Sequence, residues 1–131
     1  MTRKHWFNRF LGASSGAARQ GVCWRQAEPE GHDAGKYGVL VTQAQAIPGE
    51  TYWRAVRVHH LTPAENRGNH HLYLDVLDQD NQRLPGARVC VFWDGGRDVV
   101  TIGKSLTEPG ASFPMWRGQV CAVECDGFPS D

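Results

Sequence analysis

Residues 70–102 read HHLYLDVLDQDNQRLPGARVCVFWDGGRDVVTI, and this stretch decides the fold class. In its first run, Leu72, Leu74 and Val76 alternate with their neighbours at the two-residue period of a β-strand. A cluster of Asp, Asn and Gln at 78–82 then interrupts the run. Asx side chains close turns by hydrogen-bonding the nearby backbone, so we expect a turn there.

The second half of the stretch predicts a hairpin. The run at 88–93 alternates, with Val89, Val91 and Trp93 on one side, and ends at Asp-Gly-Gly, residues 94–96. Asp-Gly between two β-like runs is a strong signal for a tight hairpin turn. We therefore expect the chain to return as a strand at 99–102.

Similar short runs lie on both sides of this stretch, at 39–46, 52–60 and 120–125. In 52–60, strict alternation would oppose one face (Tyr52, Arg54, Val56, Val58) to the other (Trp53, Ala55, Arg57, His59). Six or seven such runs and no long helical period predict an all-β domain at 38–131. The specific expectation is an antiparallel immunoglobulin-like β-sandwich.

Residues 1–37 read differently, as an extended N-terminal arm rich in Gly, Ala, Ser and Gln. Its start predicts a short amphipathic helix, because four apolar residues share one helical face and Gly12 follows them. These residues would pack on the parent domain, dock on a partner or, as the most distant alternative, anchor at a membrane surface: Trp6, Phe7, Phe10 and Leu11.

Composition excludes several classes of function. The 131 residues include 14 Lys and Arg and 14 Asp and Glu, so there is no electrostatic argument for binding nucleic acid. The apolar runs are far shorter than the roughly 20 residues of a membrane-spanning helix. Polar residues also interrupt the first apolar run, so we predict no signal peptide. The localisation is left unknown, with a virion or a cell surface as compatible places.

Nothing in the sequence specifies a reaction. There is no nucleophile elbow, phosphate-binding loop or dinucleotide fingerprint. The carboxylates that a wall hydrolase would need stand mostly in turn-like sequence, where Asp serves the local backbone (Asp75, Asp78, Asp80, Asp94, Asp98). We expect a protein that is not an enzyme and that uses no cofactor.

Two histidine pairs flank the loop at 61–69. If their strands were neighbours, one histidine of each pair could meet a carboxylate, and His59, His71 and Asp75 would form a transition-metal site. The alternative, which we favour, gives these histidines polar roles around the loop and leaves the chain without a metal. A metal-dependent enzyme is the least favoured of the functional hypotheses.

The four cysteines, Cys23, Cys90, Cys121 and Cys125, contain no C-x-x-C motif. Cys121 and Cys125 share a strand face but are separated by about 13 Å, too far for a bridge. Cys90 could pair with one of them, and Cys23 with a neighbouring chain. The alternative is a set of small core thiols.

Several motifs together carry a family resemblance: the Asx turn at 78–82 followed by LPGA at 84–87, YWR at 52–54, FPMW at 113–116 and DGFPSD at 126–131. The chain resembles immunoglobulin-like, transthyretin-like β-sandwich accessory modules of bacterial surface, cell-wall hydrolase and phage proteins. Those modules continue with a further His-containing strand. The resemblance therefore implies that another chain, or the run at 39–46, completes the sheet.

Two functions of different class follow. The first is a non-enzymatic structural or adhesion module, such as a phage virion decoration or cell-surface protein, that docks on subunits of a larger assembly or on its own copies through its arm and an open sheet edge. The second, favoured by the resemblance, is a module that binds cell-wall or surface glycan. Its stacking candidates are Tyr52, Phe113 and Trp116, whereas Trp53 and Trp93 are assigned to the core.

Overall fold

The computed structural model describes residues 3–10, 29 and 31–131, and for 3–10 it describes the backbone alone. Within these residues the strands are β1 (Arg3–Phe10), β2 (Gly31–His32), β3 (Tyr52–His60), β4 (His71–Leu77), β5 (Arg88–Trp93), β6 (Gly96–Thr101), β7 (Ala111–Pro114) and β8 (Cys121–Cys125). In the part of the chain that the structure describes, helical structure is limited to a 3-10 turn, Gly35–Tyr37, and a single α-helical turn, α1 (Pro63–Asn66). The all-β prediction is confirmed.

The strands form two sheets, one in the order β2-β3-β1-β4-β7 and the other in the order β6-β5-β8. Antiparallel pairs predominate, as predicted, but β1 is parallel to β4 and β2 is parallel to β3. The sheets contribute to one hydrophobic core. From the first come Val58, Leu72, Leu74 and Val76, and from the second Val89, Val91 and Cys125.

The predicted N-terminal helix is wrong, because Arg3–Phe10 form strand β1. β1 lies between β3 and β4 and pairs with both. The spacing of apolar residues over so short a segment fits a helix and a strand alike. Here the segment lies between β3 and β4 and forms backbone hydrogen bonds with both strands. Tertiary pairing therefore overrides the local pattern.

The packed structure begins before residue 38, where the sequence placed the boundary between arm and domain. Ala34 is fully buried in the core, and the Asp33 N–H donates to the Val58 carbonyl at 3.2 Å. The short strand Gly31–His32 also pairs with β3. Residues 31–37 thus belong to the folded unit.

Strict alternation fails within β3. In the first part of the strand the odd-numbered residues Trp53 and Ala55 are buried, whereas further along the even-numbered Val58 is buried. The register explains the change, because Trp6 of β1 pairs with Arg57 and the next residue pairs with Ala55, which leaves one residue of β3 unmatched. Such a bulge moves every later side chain to the opposite face, and no periodicity reveals it in advance.

The run at 39–46 is not a strand of either sheet, contrary to prediction. Val39, Val41 and Ala44 are buried whereas Leu40 is 70% exposed, so the alternation records an extended segment that packs on the core, with a single isolated β-bridge at Thr42. β7 (Ala111–Pro114) was missed, because Pro109-Gly110 and Pro114 suggested a loop. It pairs at the outside of the sheet, where proline is tolerated.

The predicted turns are confirmed. Asp78 Oδ1 accepts from the N–H groups of Asp80 and Gln82 at 2.8 and 3.0 Å. β5 and β6 form the expected hairpin, with Trp93 opposite Gly96. Among the described residues, no helix is long and apolar enough to cross a membrane.

Candidate functional site

The outer edge of β8 is the most distinctive feature of the smaller sheet. The Asp126 N–H donates to the Arg88 carbonyl at 2.9 Å, whereas the Cys125 N–H donates to Ser130 Oγ at 3.0 Å, away from β5. Backbone groups alternate in direction along an antiparallel strand. Val123, two residues before Cys125, therefore directs its N–H and C=O outward, and in the described part of the chain β8 pairs with β5 only.

A groove of about 760 Å³ runs along this edge. One wall is formed by 120–124 and the other by the extended segment at 38–45, with Ala55 and Val58 of β3 also lining it. Leu40 and Val120 stand at its rim with 70% and 77% of their surface exposed. Within the described residues, the outward backbone groups of Val123 thus lie beside a largely apolar channel.

Residues 129–131 fix the walls of this groove. The Trp53 N–H donates to the Pro129 carbonyl at 2.8 Å, and the Asp131 N–H donates to the Trp53 carbonyl at 2.9 Å. The Asp131 carboxylate accepts from the N–H groups of Ala44 and Ala55 at 2.8 and 3.1 Å. One carboxylate therefore ties the extended segment to the larger sheet.

A second groove, of about 620 Å³, lies at the turn that precedes β8 and is lined by His70 and 115–120. Trp116 is 80% exposed there. The turn is closed by two hydrogen bonds: the Trp116 N–H donates to Gln119 Oε1 at 3.0 Å, and the Gln119 N–H donates to the Trp116 carbonyl at 3.1 Å. The exposed indole is thus carried by a well-braced loop.

The structure does not bring the predicted stacking residues together. Tyr52 pairs with Phe10 at one end of the larger sheet, whereas Trp116 follows Pro114, which pairs with His71 at the other end. Eight residues of ladder separate these ends, roughly 26 Å at about 3.3 Å per residue.

Phe113 belongs to the core rather than to a surface platform. It is 8% exposed, and its ring centroid lies 5.4 Å from that of Trp93. Trp53 is 4% exposed, and its indole N–H donates to the Asp126 carbonyl at 3.0 Å. Trp116 is therefore the one predicted stacking residue that the structure leaves broadly exposed.

The predicted metal triad is not assembled, because β1 lies between β3, which carries His59, and β4, which carries His71. Asp75 is buried and bound by Arg83 through Nε–Oδ1 and Nη2–Oδ2 contacts of 2.6 Å each. Among the residues that the structure describes, no group of three His, Cys, Asp or Glu side chains is placed to hold a metal ion.

His59 instead contacts two carboxylates: Glu65, in the loop where polar roles were predicted for the histidines, and Asp33, which the sequence did not single out. Its Nδ1 contacts Asp33 Oδ2, and its Nε2 lies 3.1 Å from Glu65 Oε1. Glu65 also accepts from the Thr62 N–H in a capping box at the start of α1. S/T-x-x-E is a readable signal for this cap, but nothing local links Asp33 to His59.

Both carboxylates have shifted acidities. Burial raises the pKa of Asp33, but hydrogen bonds from the His60 N–H and the His59 ring outweigh it, so the pKa lies below its ordinary value. The Thr62 N–H and then the His59 ring lower the pKa of Glu65. The His59 cluster (Asp33, His59 and Glu65) therefore links three parts of the chain: the segment that follows β2, strand β3, and helix α1.

No disulfide joins the described cysteines Cys90, Cys121 and Cys125 to one another, and Cys23 lies outside the described residues. Register explains why Cys90 forms no bridge to β8: it pairs with Glu124, so it faces the opposite side from Cys121 and Cys125. Burial raises the pKa of Cys125 to about 12.

Of the predicted docking residues, Trp6, Phe7 and Phe10 lie in β1, whose backbone pairs on both sides, and Leu11 lies outside the described residues. Comparison with family models, with curated proteins and with solved structures found no match.

Proposed function

We propose that this chain is a non-enzymatic docking module of a larger assembly, such as a virion or a cell-surface structure, and that it receives an extended segment of a partner subunit along β8. The observation that carries the proposal is the outward direction of the Val123 N–H and C=O beside an open groove. Unpaired edge groups are a template for strand addition, in which main-chain hydrogen bonds supply affinity and adjacent pockets supply specificity.

The flanking geometry supports strand addition over a loose surface contact. The wall at 38–45 is held by Asp131, and Leu40 and Val120 line the rim, so an added strand would bury apolar surface as well as hydrogen-bond to Val123. Burial of apolar area gives roughly 25 cal/mol per Å² before the costs of association. The proposal assigns docking to β8 instead of the N-terminal residues, because the β1 backbone is engaged in its own sheet.

Amide hydrogen exchange tests the proposal residue by residue. In the dilute isolated chain, we expect the Val123 amide to exchange rapidly, whereas the Ala122 and Glu124 amides, which face β5, are protected. Sedimentation across concentration then distinguishes a second copy from a different partner. Self-association that slows exchange at Val123 supports edge pairing between copies.

A monomer in which Val123 is as strongly protected as Ala122 would contradict the proposal, since the edge would already be covered within the chain. Such a result would favour the second candidate, a glycan-binding module. The observation behind that candidate is the 80% exposed indole of Trp116 on a braced turn, because flat amphipathic rings suit the apolar faces of sugars.

The glycan candidate has its own test. Trp116→Ala would abolish retention on wall polysaccharide while lowering the melting temperature by no more than a few degrees, since an exposed ring contributes little to the core. The matched variant is Trp53→Ala, which removes a buried indole and would cost about 3 to 5 kcal/mol of stability. Unchanged retention by Trp116→Ala would exclude this site.

A further inference from the structure

We infer that the segment that docks on β8 carries an acidic residue just beyond its paired stretch, on its carboxyl-terminal side, and that Arg117 binds this residue beside Trp116. The inference rests on the proposed function. The chemistry of the partner segment follows from the second groove, which meets the first at Val120.

The two grooves are adjacent, because Val120 lines both of them. β8 begins at Cys121, directly after the turn that carries Trp116 and Arg117. A strand that pairs with Val123 and extends toward the start of β8 therefore runs into the second groove.

The direction of the added strand follows from its sheet. Both pairings of β5, with β6 and with β8, are antiparallel. An antiparallel addition to β8 runs from the Cys125 end toward the Cys121 end, so its carboxyl-terminal side reaches the Trp116 turn. The residue opposite Val120 lies three positions beyond the one that pairs with Val123.

The charge of the second groove fits an acidic residue. Its lining contains the cation of Arg117 and no Asp or Glu. Arg117 is exposed, and among the described residues it forms no ion pair. A guanidinium that carries five donors and has no carboxylate partner is suited to bind one supplied from outside.

Trp116 supplies the apolar part of the same contact. Its exposed indole lines the same groove as Val120, and tryptophan and arginine are among the residues that most often dominate binding energy at protein interfaces. The partner segment is therefore expected to be a β-strand of alternating apolar and polar residues. At its carboxyl-terminal end, an apolar side chain would contact Trp116 and an acidic side chain would bind Arg117.

Three peptides with blocked ends test this chemistry on the intact chain: Val-Thr-Val-Thr-Val-Thr-Asp-Asp, the same peptide with Asn-Asn at the end, and Asp-Asp-Val-Thr-Val-Thr-Val-Thr. We expect the first to bind about two- to fivefold more tightly than the other two, with the difference fading as salt rises. Arg117→Gln removes the difference. Arg97→Gln, an exposed arginine on β6 at the other edge of the sheet, preserves it.

The possible results distinguish a failure of the acidic preference from a failure of strand docking on β8. If all three peptides bind equally and slow exchange at Val123, the acidic preference is wrong and strand docking stands. If no peptide slows exchange at Val123 at millimolar concentration, strand docking fails and the inference fails with it. Binding of polygalacturonate that depends on Trp116 and Arg117, without any peptide binding, would overturn both in favour of an acidic glycan.

Discussion

Polar groups are paired inside the fold around Asp75, whereas at the outer edge of β8 they point away from the fold. Asp75 is 1% exposed, and Arg83 binds both of its oxygens while donating to the carbonyls of Lys104, Ser105 and Glu108. Val123 instead directs backbone groups away from the fold. Satisfied buried groups stabilise one structure, whereas open edge groups are available to a partner, so substitutions in the two regions should separate stability from binding.

The largest expected effect comes from removing the guanidinium that holds Asp75. Arg83→Met would leave an uncompensated buried carboxylate and cost about 3 to 5 kcal/mol of unfolding free energy, measured by urea denaturation. The matched control is Arg88→Met, because Arg88 is exposed and lies 3.6 Å from Asp126. We expect that change to cost about 0 to 1 kcal/mol. Equal losses in the two variants would show that the Asp75 pair is not special.

The next effect probes how tightly the same region is packed. A Cβ at Gly110 would lie 2.6 Å from Asp75 Oδ1 and 2.8 Å from Ile102 Cγ2. Gly110→Ala would therefore cost about 1 to 3 kcal/mol through overpacking. Gly103→Ala serves as the control, since its Cβ would enter open space, and thermal unfolding of the two variants should differ by several degrees.

Two proline substitutions on neighbouring residues of β8 sharpen the comparison directly. Ala122→Pro removes an N–H that faces β5 and would cost about 1 to 3 kcal/mol of stability. Val123→Pro removes an N–H that faces outward, so it would weaken strand binding while costing less stability, because edge strands tolerate proline on their open side. Calorimetry and peptide titration on both variants measure the two effects. A larger stability loss in Val123→Pro would show that the assigned backbone directions are wrong.

The smallest expected effect on stability comes from the His59 cluster at the surface. The pKa values of Asp33 and Glu65 are lowered in the folded chain, so their contribution to stability is present above the unfolded values of 3.8 and 4.5 and is lost as pH falls through the folded values. Wild type should be more stable than His59→Gln at pH 6, and the gap in unfolding free energy should narrow as pH falls below 4.5 and then below 3.8. Glu124→Gln, an exposed site on β8, should show no such narrowing.

Local patterns predicted much of the fold because they describe interactions between residues near in sequence. The bounds of β3 and β5 match the predicted runs, and the Asp78 turn and the β5–β6 hairpin form as expected. Trp116 was named as a stacking candidate from its position beside Pro114. That it remains exposed, whereas Phe113 is buried, depends on packing that no local pattern contains.

The sequence by itself determined the all-β class, most strand positions and the turn chemistry, because alternation and Asx or Gly residues act within a few positions of the chain. Tertiary structure alone decided that Arg3–Phe10 enter the larger sheet, that β3 bulges, and that β1 separates the two histidine pairs. It also decided that β8 keeps an outward edge. These features arise from pairing between distant segments, where the free energy depends on which partners are available and not on the residues of either segment alone.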